Sequence, residues 1–481
     1  MRISAACAVL LGLALRIFFV LRFPMADSGD APLYSSLAWN WLKHGIYGIP
    51  VFGALVPVDM RVPGYPAFLA AIFALFGRSH FAVLMAQAVV DLASCVLIAL
   101  IAARLAPENV RRNVMLAALW LAALCPFTAN YAAVMQTEAL AIFLTALAIL
   151  LLLQTELGPA PHRPTAWIWF AAGIVTGLGA LVRPETPLLL LAAGLLLAWR
   201  FRRPADWTKL LRATALMAAG LALALAPWAA RNRRTLHETQ FLAPRYGQLP
   251  GETVPRGFNS WTSTWLWRMR DVYLIPWKLD TEQLSITDVP ASAFDTPPQR
   301  ARIAAIFAQY NSTLTLSPAM DASFARIARE RTRRRPFRTY LKIPFLRALT
   351  LWFSPRVELL PISGHLHPFR QLWDADPVDV LVTLAAIAIA VFYSTLALAG
   401  AWIARLRPAC AFLVLFILIR TAFFAAFVET PEPRYVLECF PALLALAAQA
   451  WSLTPRLRAP REYSAGKSAG IASSPRLPAT P

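Results

Sequence analysis

The chain has 481 residues, 58% of them apolar, 15% charged and 11% aromatic, with a mean hydropathy of +0.53. Soluble domains average about 45–50% apolar and about 25% charged, so this composition excludes disorder, coiled coil, collagen and small disulfide scaffolds and replaces a count of soluble domains with a count of lipid spans. A formal charge of +20 would suggest nucleic acid on a soluble protein, but on a membrane protein it is explained by basic loops that hold topology, and no nucleic acid is called for.

The first apolar run is Ile3 to Leu21, behind a short basic start at Arg2. Its length, the interrupting Arg16 and the lack of a small-x-small cleavage site favour a retained span over a cleaved signal. Further apolar runs fall near 82–103, 113–130, 138–153, 167–182, 186–199, 213–230, 378–402, 409–428 and 436–453. The expected fold is therefore an all-α polytopic membrane protein with about 10 transmembrane helices at about 20 residues each. Four regions follow: a transmembrane module over 1–230 with its loop 24–65, an extracytoplasmic segment 231–377, C-terminal spans over 378–453, and a disordered basic tail 454–481. The five cysteines (Cys7, Cys95, Cys125, Cys410, Cys439) are dispersed, with neither disulfide nor zinc spacing.

Alternate short loops carry Arg104, Arg111 and Arg112, then Arg163, then Arg200 to Arg212, then Arg405 and Arg407, with Arg456, Arg458 and Arg461 in the tail. All fall on one side if both termini are cytoplasmic. Residues 24–65, 131–137, 183–185, 231–377 and 429–435 then face the other side, as expected of a multi-pass membrane protein. Within 231–377, residues 324–353 read as basic amphipathic helices. Leu341, Phe345, Leu349 and Trp352 share one face, while Lys342, Arg347 and the Arg331–Arg335 cluster are available to phosphate head groups or simply to water.

The densest polar signal is the first loop, "ADSGDAPLYSSLAWNWLKHGIYG" followed by "RVPGYPAFLA". Asp30 opens a helix that ends at His44 and is closed by Gly45, and an N-cap is the plain reading of such an aspartate. Leu33, Leu37 and Trp41 give that helix an apolar face suited to a membrane surface. A carboxylate there is also placed to act as a base on a lipid-borne substrate. Glu138 in "MQTEAL", Arg183 and Glu185 in "LVRPE", Arg231 in "PWAARN", and Glu429, Glu432, Arg434 and Tyr435 in "VETPEPRY" stand at the outer ends of spans. Snorkelling explains one such cluster; four on one face suggest a site. Gly173, Gly177 and Gly179 suggest close helix packing. The six histidines share no ligand spacing.

At these residues the sequence resembles the bacterial GT-C glycosyltransferases, in the family 39 branch related to dolichyl-phosphate-mannose–protein mannosyltransferases and lipid A aminoarabinose transferase. Asp30 with Tyr34, "HGIYG", "RVPGYP", "MQTEAL", "GLGALVRPE", "PWAARN" and "EPRY" occur in the family's order from about residue 10 to 450. The resemblance implies an enzyme using a polyprenyl-phosphate-linked sugar at the extracytoplasmic face. It matches Asp30 to the first-loop catalytic acid, Glu138 to the second acidic position, and Arg61 and Tyr65 to the "R-x-PGY" segment; Asp27 has no firm counterpart.

Such a transfer needs a base for the acceptor hydroxyl and cations for the departing phosphate. Asp30 is the expected base of an inverting single displacement, and Glu138 is expected to position the acceptor or a divalent ion. Arg61, Arg183, Arg231 and Arg434 are the candidate phosphate-binding groups, because a guanidinium matches phosphate oxygens and stays charged. Asp27, Tyr34, Tyr65, Glu185 and Tyr435 complete the expected substrate-binding set. No cofactor is certain from the sequence; two carboxylates without histidine leave metal participation open, with magnesium or manganese as candidates. The expected partners are the lipid-linked donor, a glycan, lipid or protein acceptor, and the bilayer. A lipid-linked-sugar transporter, a scaffold built on 231–377, and an O-antigen polymerase or ligase are the competing readings.

Overall fold

The structure, a computed structural model, describes residues 2–27, 29–158, 166–247 and 253–453. Arg163 and the tail with Arg456, Arg458 and Arg461 lie outside the described residues. The chain begins with α1 (Arg2–Arg22), α2 (Ala31–His44), a hairpin of β1 (Gly48–Val51) and β2 (Ala54–Pro57), α3 (Gly64–Phe76), α4 (His80–Leu105) and α5 (Arg111–Ala123). Next come α6 (Pro126–Ala129), α7 (Glu138–Leu152), α8 (Ala166–Ala180), α9 (Leu188–Arg200) and α10 (Trp207–Thr235). After them lie α11 (Arg256–Thr262), α12 (Met269–Leu274), α13 (Pro297–Asn311), α14 (Pro318–Arg334) and α15 (Ile343–Phe353). The chain closes with α16 (Phe369–Ala375), α17 (Pro377–Ala404), α18 (Pro408–Phe427) and α19 (Phe440–Ala447), the last flanked by tighter 3-10 turns.

Among the described residues the fold is all-α apart from the hairpin, in which Gly48 faces Pro57 and Val51 faces Ala54. Its two turn residues, Phe52 (φ 47) and Gly53 (φ 84), are both left-handed, as a two-residue hairpin turn of matching twist requires.

All ten apolar runs are helical, though the helices differ in length. Among the described residues, six helical segments are long and apolar enough to cross a bilayer: α1, α4, α10 with its preceding turn, α17, α18 and Pro433–Leu453. The run 113–130 is a seventh only if α5 and the Pro126–Ala133 segment count as one span, bent by 50°. Helices α7, α8 and α9 have 15, 15 and 13 residues. At 1.5 Å per residue they fall short of a hydrocarbon core of about 30 Å. The chain is a multi-pass membrane protein built from long spans and shorter apolar helices. Pro433–Leu453 is 78% buried, against at most 50% for the other long segments, so it is the central staff of the bundle.

Segment 253–334 has a core of its own. Phe258, Trp261, Trp265, Phe307 and Phe324 are nearly or fully buried together, with Phe258 edge-on to Phe324 at 5.3 Å. The Asp321 carboxylate accepts the backbone N–H groups of Gly257 (2.8 Å) and Phe258 (2.9 Å), capping α11.

Two amphipathic faces differ from expectation. The apolar side of α2 packs on protein rather than lipid: Leu37 is fully buried with Tyr47 and Trp228, and Leu33 lies against them. In the 324–353 stretch, Arg331 and Arg347 turn inward. Arg331 bonds Thr264 and the Ser292 carbonyl, and Arg347 bonds the carbonyls of Leu266 and Val428. Both satisfy carbonyls or hydroxyls left open by irregular backbone. Phe337, Tyr340, Leu341 and Phe345 remain outside as an exposed apolar stripe, while Trp352 donates to Thr421 of α18.

The glycine expectation splits. A Cβ on Gly173 would lie 2.2 Å from the Met217 carbonyl oxygen, and one on Gly177 would lie 2.6 Å from the Ala224 Cβ. Both therefore let α8 and α10 touch, whereas Gly179 makes room for Thr186 in its own turn. Gly173→Ala is expected to pry α8 from α10 at a cost of about 1–3 kcal/mol, read as a lower unfolding midpoint; an unchanged midpoint would show that the contact carries no weight.

Candidate active site

The first loop is stitched to the turn before α7. Met25 N–H donates to the Ala133 carbonyl (2.8 Å), and Met135 N–H donates back to Met25 (3.1 Å). From below, Gln87 of α4 donates to the carbonyls of Val134 (2.7 Å) and Ala132 (3.2 Å), and its oxygen accepts Tyr65 O–H at 2.6 Å. Tyr65 thus fixes the turn that delivers Glu138, and its ring meets Tyr34 edge-on at 5.1 Å.

Asp30 does not cap α2: its side chain makes no capping bond. Instead Oδ1 accepts Arg61 Nη2 at 2.9 Å, with both side chains about one-third exposed. Glu138 is the first residue of α7, where the helix dipole favours an acid. It is buried; Oε1 accepts Arg183 Nη1 at 2.9 Å, and Oε2 has no hydrogen-bond partner. Tyr34 joins these two pairs. Burial, then Asp30, raises its phenol to about 12, and Arg61, Glu138 and Arg183 also act on it. Its hydroxyl therefore stays protonated.

Arg183 is held on two sides. Its Nε lies 3.4 Å from Glu438 Oε1, opposite the Glu138 contact. Burial pulls the guanidinium pKa down, but Glu138 and Glu438 more than offset this and raise it. Glu438 in turn accepts from Arg420, Thr145 (3.2 Å) and Thr186 (3.1 Å). Arg434 donates to Glu432 (2.6 Å) and to Gln136 (3.1 Å). The Gln136 amide lies 3.4 Å from where a Cβ on Gly29 would stand, which links Arg434 to the Asp30 loop. Tyr435 O–H donates to Glu432 at 2.9 Å, and its ring stacks on Phe424.

Two cavities meet the turn that carries Arg183. Leu181 and Val182, with Leu140, Leu178 and Trp228, line an apolar cavity of about 720 Å³ whose charged member is Arg231. Arg231 lies over the Tyr47 and Trp228 rings and donates to the carbonyls of Tyr47 (2.7 Å) and Val58 (2.9 Å). Glu185, with Tyr246, Phe424, Glu429 and Tyr435, lines a more polar cavity of about 880 Å³. Asp27 is exposed beside His80 (3.3 Å), at the periphery.

Asp30, Arg61, Tyr34, Glu138 and Arg183 are thus brought together, with Arg434 joined through Gln136. Arg231 lies in the apolar cavity and Glu185 and Tyr435 in the polar one. Sequence reading missed Gln87, Gln136, Arg420 and Glu438. Arg420 had a visible signal, a lone cation inside the apolar run "LVLFILIRTAFF". The glutamines had none. Among the described residues no three His, Cys, Asp or Glu side chains group as metal ligands.

Residues 60–230 match the family model of the dolichyl-phosphate-mannose-protein mannosyltransferases. The family resemblance stands on that segment. It contains Arg61, Tyr65, Glu138, Arg183 and Glu185 and stops one residue before Arg231. Among solved structures, the oligosaccharyltransferase AglB of Archaeoglobus fulgidus, in complex with an inhibitory peptide and a dolichol-phosphate, overlaps with a TM-score of 0.47 at 14% identity. The overlap covers 92% of this chain and 50% of AglB, so the chain spans about half that protein's length. ArnT from Cupriavidus metallidurans overlaps with a TM-score of 0.40 at 13% identity, over 94% of this chain and 76% of ArnT. No curated protein sequence matches the chain.

Proposed function

We propose that the chain is an integral membrane glycosyltransferase that moves a hexosyl or pentosyl group from a polyprenyl-phosphate donor to a glycan, lipid or protein acceptor. The observation that carries this reading is the gathering of Asp30–Arg61 and Glu138–Arg183 around Tyr34, beside an apolar cavity that holds one arginine. The match of residues 60–230 to a dolichyl-phosphate-mannose-dependent family supports the same chemistry.

In this reading Asp30 takes the proton of the acceptor hydroxyl as its oxygen forms the new glycosidic bond. The bond from the anomeric carbon to the phosphate oxygen breaks on the opposite face, its electron pair leaving with the phosphate, and configuration inverts. Asp30 is well placed for this, because only Oδ1 is engaged by a protein donor among the described residues. Arg61 and Arg434 stabilise the departing phosphate, with Arg231 holding the lipid side. Arg183 orients Glu138, leaving the buried Oε2 to accept a substrate hydroxyl or to meet a divalent cation. Tyr34 and Tyr65 shape the sugar site, Glu185 and Tyr435 the acceptor side, and Asp27 its rim. The positive-charge pattern supports cytoplasmic termini and an extracytoplasmic site in a bacterial inner membrane.

The test is purified protein with a panel of polyprenyl-phosphate sugars, scored for release of free polyprenyl phosphate. Release dependent on Asp30 is expected; movement of intact donor across a bilayer without cleavage would favour a transporter instead. The apolar cavity has a separate test. Leu178 is part-exposed in its wall, so Leu178→Trp is expected to raise the KM for a long-chain donor about tenfold, about 1.4 kcal/mol, with kcat retained. An unchanged KM would remove the lipid chain from this cavity.

A further inference from the structure

A polar groove of about 860 Å³ lies between α11, α14 and the C-terminal end of α18, sharing Arg245, Tyr246, Asn259, Phe427 and Glu429 with the 880 Å³ polar cavity. It is lined by four arginines, Arg245, Arg256, Arg329 and Arg333, and one acid, Glu429. Arg245 is spent on Glu429 at 2.6 Å. The other three are exposed, and none makes an ion pair among the described residues. Arg329 and Arg333 stand four residues apart on α14 and so share a face; Ser260 and Ser263 also line the groove, but their hydroxyls are spent on the carbonyls of Arg256 and Asn259. Three guanidinium groups without an ion pair around one groove describe a receptor for a phosphate anion.

The surroundings say where that phosphate comes from. Phe427, exposed at the end of the α18 span, and Tyr340 line the groove. Phe337, Leu341 and Phe345 extend the apolar stripe from Tyr340 along the elbow into α15. That helix is tied to α18 through Trp352 and Thr421 (3.0 Å). The end of a span is the depth of the lipid head groups, so cations in the groove and aromatic side chains beside it match a phospholipid that offers phosphate and acyl chain together. We propose that this groove binds the phosphate head group of an anionic membrane lipid, at a place separate from the donor site. The occupant leaves Asp30 and Glu138 untouched and seats the 253–353 segment on the bilayer surface.

The test uses the full chain in mild detergent with added phosphatidylglycerol or phosphatidylcholine, read by native mass spectrometry. Retention of phosphatidylglycerol is expected to exceed that of phosphatidylcholine, by about fivefold for each arginine that contributes. The triple replacement Arg256→Gln, Arg329→Gln, Arg333→Gln should abolish the preference, and the corresponding triple Lys variant should keep most of it, which separates lost charge from lost folding. Equal retention of the two lipids by the unmodified protein overturns the proposal. So does a triple Gln variant that keeps the preference with an unchanged unfolding midpoint. Inorganic phosphate at millimolar concentration should fail to displace the lipid; complete displacement would mean a site for free phosphate.

Discussion

Replacing Asp30 by Asn is expected to lower kcat by about 10²–10⁴-fold, the usual span for loss of a general base, without lowering the unfolding midpoint. The two halves of this expectation come from different facts. Asp30 sits where a helix cap belongs, and an Asp cap removed would cost about 1 kcal/mol. Yet it makes no capping bond, so nothing of that kind is lost. Its one ion pair, with Arg61, is partly exposed, and such pairs contribute about 0–1 kcal/mol. An Asn retains the shape and can still accept from Arg61, but it cannot take a proton. Release of polyprenyl phosphate and a thermal melt, measured on the same preparation, check both halves. Full activity in the Asn variant would end the base assignment, and a large loss of stability would return Asp30 to a structural role.

Glu438→Gln is expected to be the most destabilising single change in the bundle, by about 3–5 kcal/mol. Glu438 is buried with Arg420 and Arg183 on one oxygen and two threonines on the other. Neutralising it leaves Arg420, itself fully buried, with no carboxylate partner. The expected readout is a marked fall in unfolding midpoint or loss of the protein from the membrane fraction. Activity should fall further than stability explains, because Arg183 then loses one of the two carboxylates that hold it against Glu138. The double variant Glu438→Leu with Arg420→Met removes both charges and should recover most of the stability without restoring activity. If the single variant melts like the unmodified protein, the buried chain of charges is not a structural unit.

How much of this was legible in the sequence follows from the range of the interactions. Asp30, Glu138, Arg183 and Arg434 could be found because each is a polar residue at the end of an apolar run, which is local information. Their partners could not. Gln136 meets Arg434, and Thr145 meets Glu438, across nearly 300 residues, and no spacing encodes such a pairing. Periodicity likewise revealed apolar faces on α2 and around α15 but not what covers them. The first is covered by Tyr47 and Trp228 and the second partly by α18, with Arg347 drawn inward by the open carbonyls of Leu266 and Val428. Hydropathy found all ten apolar runs as helices but not their lengths. Composition marks α7, α8 and α9 as apolar, while their ends fall where Glu138 opens α7 and the Arg183 turn joins α8 to α9, which hydropathy alone does not show.

Leu181 and Val182 line the apolar cavity, and Pro184, Glu185, Pro187 and Leu188 line the polar one; if donor and acceptor occupy them as proposed, this arrangement carries a kinetic signature. Substrates that occupy separate cavities need not take turns, and neither has to leave before the other arrives. A ternary complex is then the reacting species, and double-reciprocal plots of initial rate should intersect rather than run parallel. Product lipid should compete with donor, and spent acceptor should not.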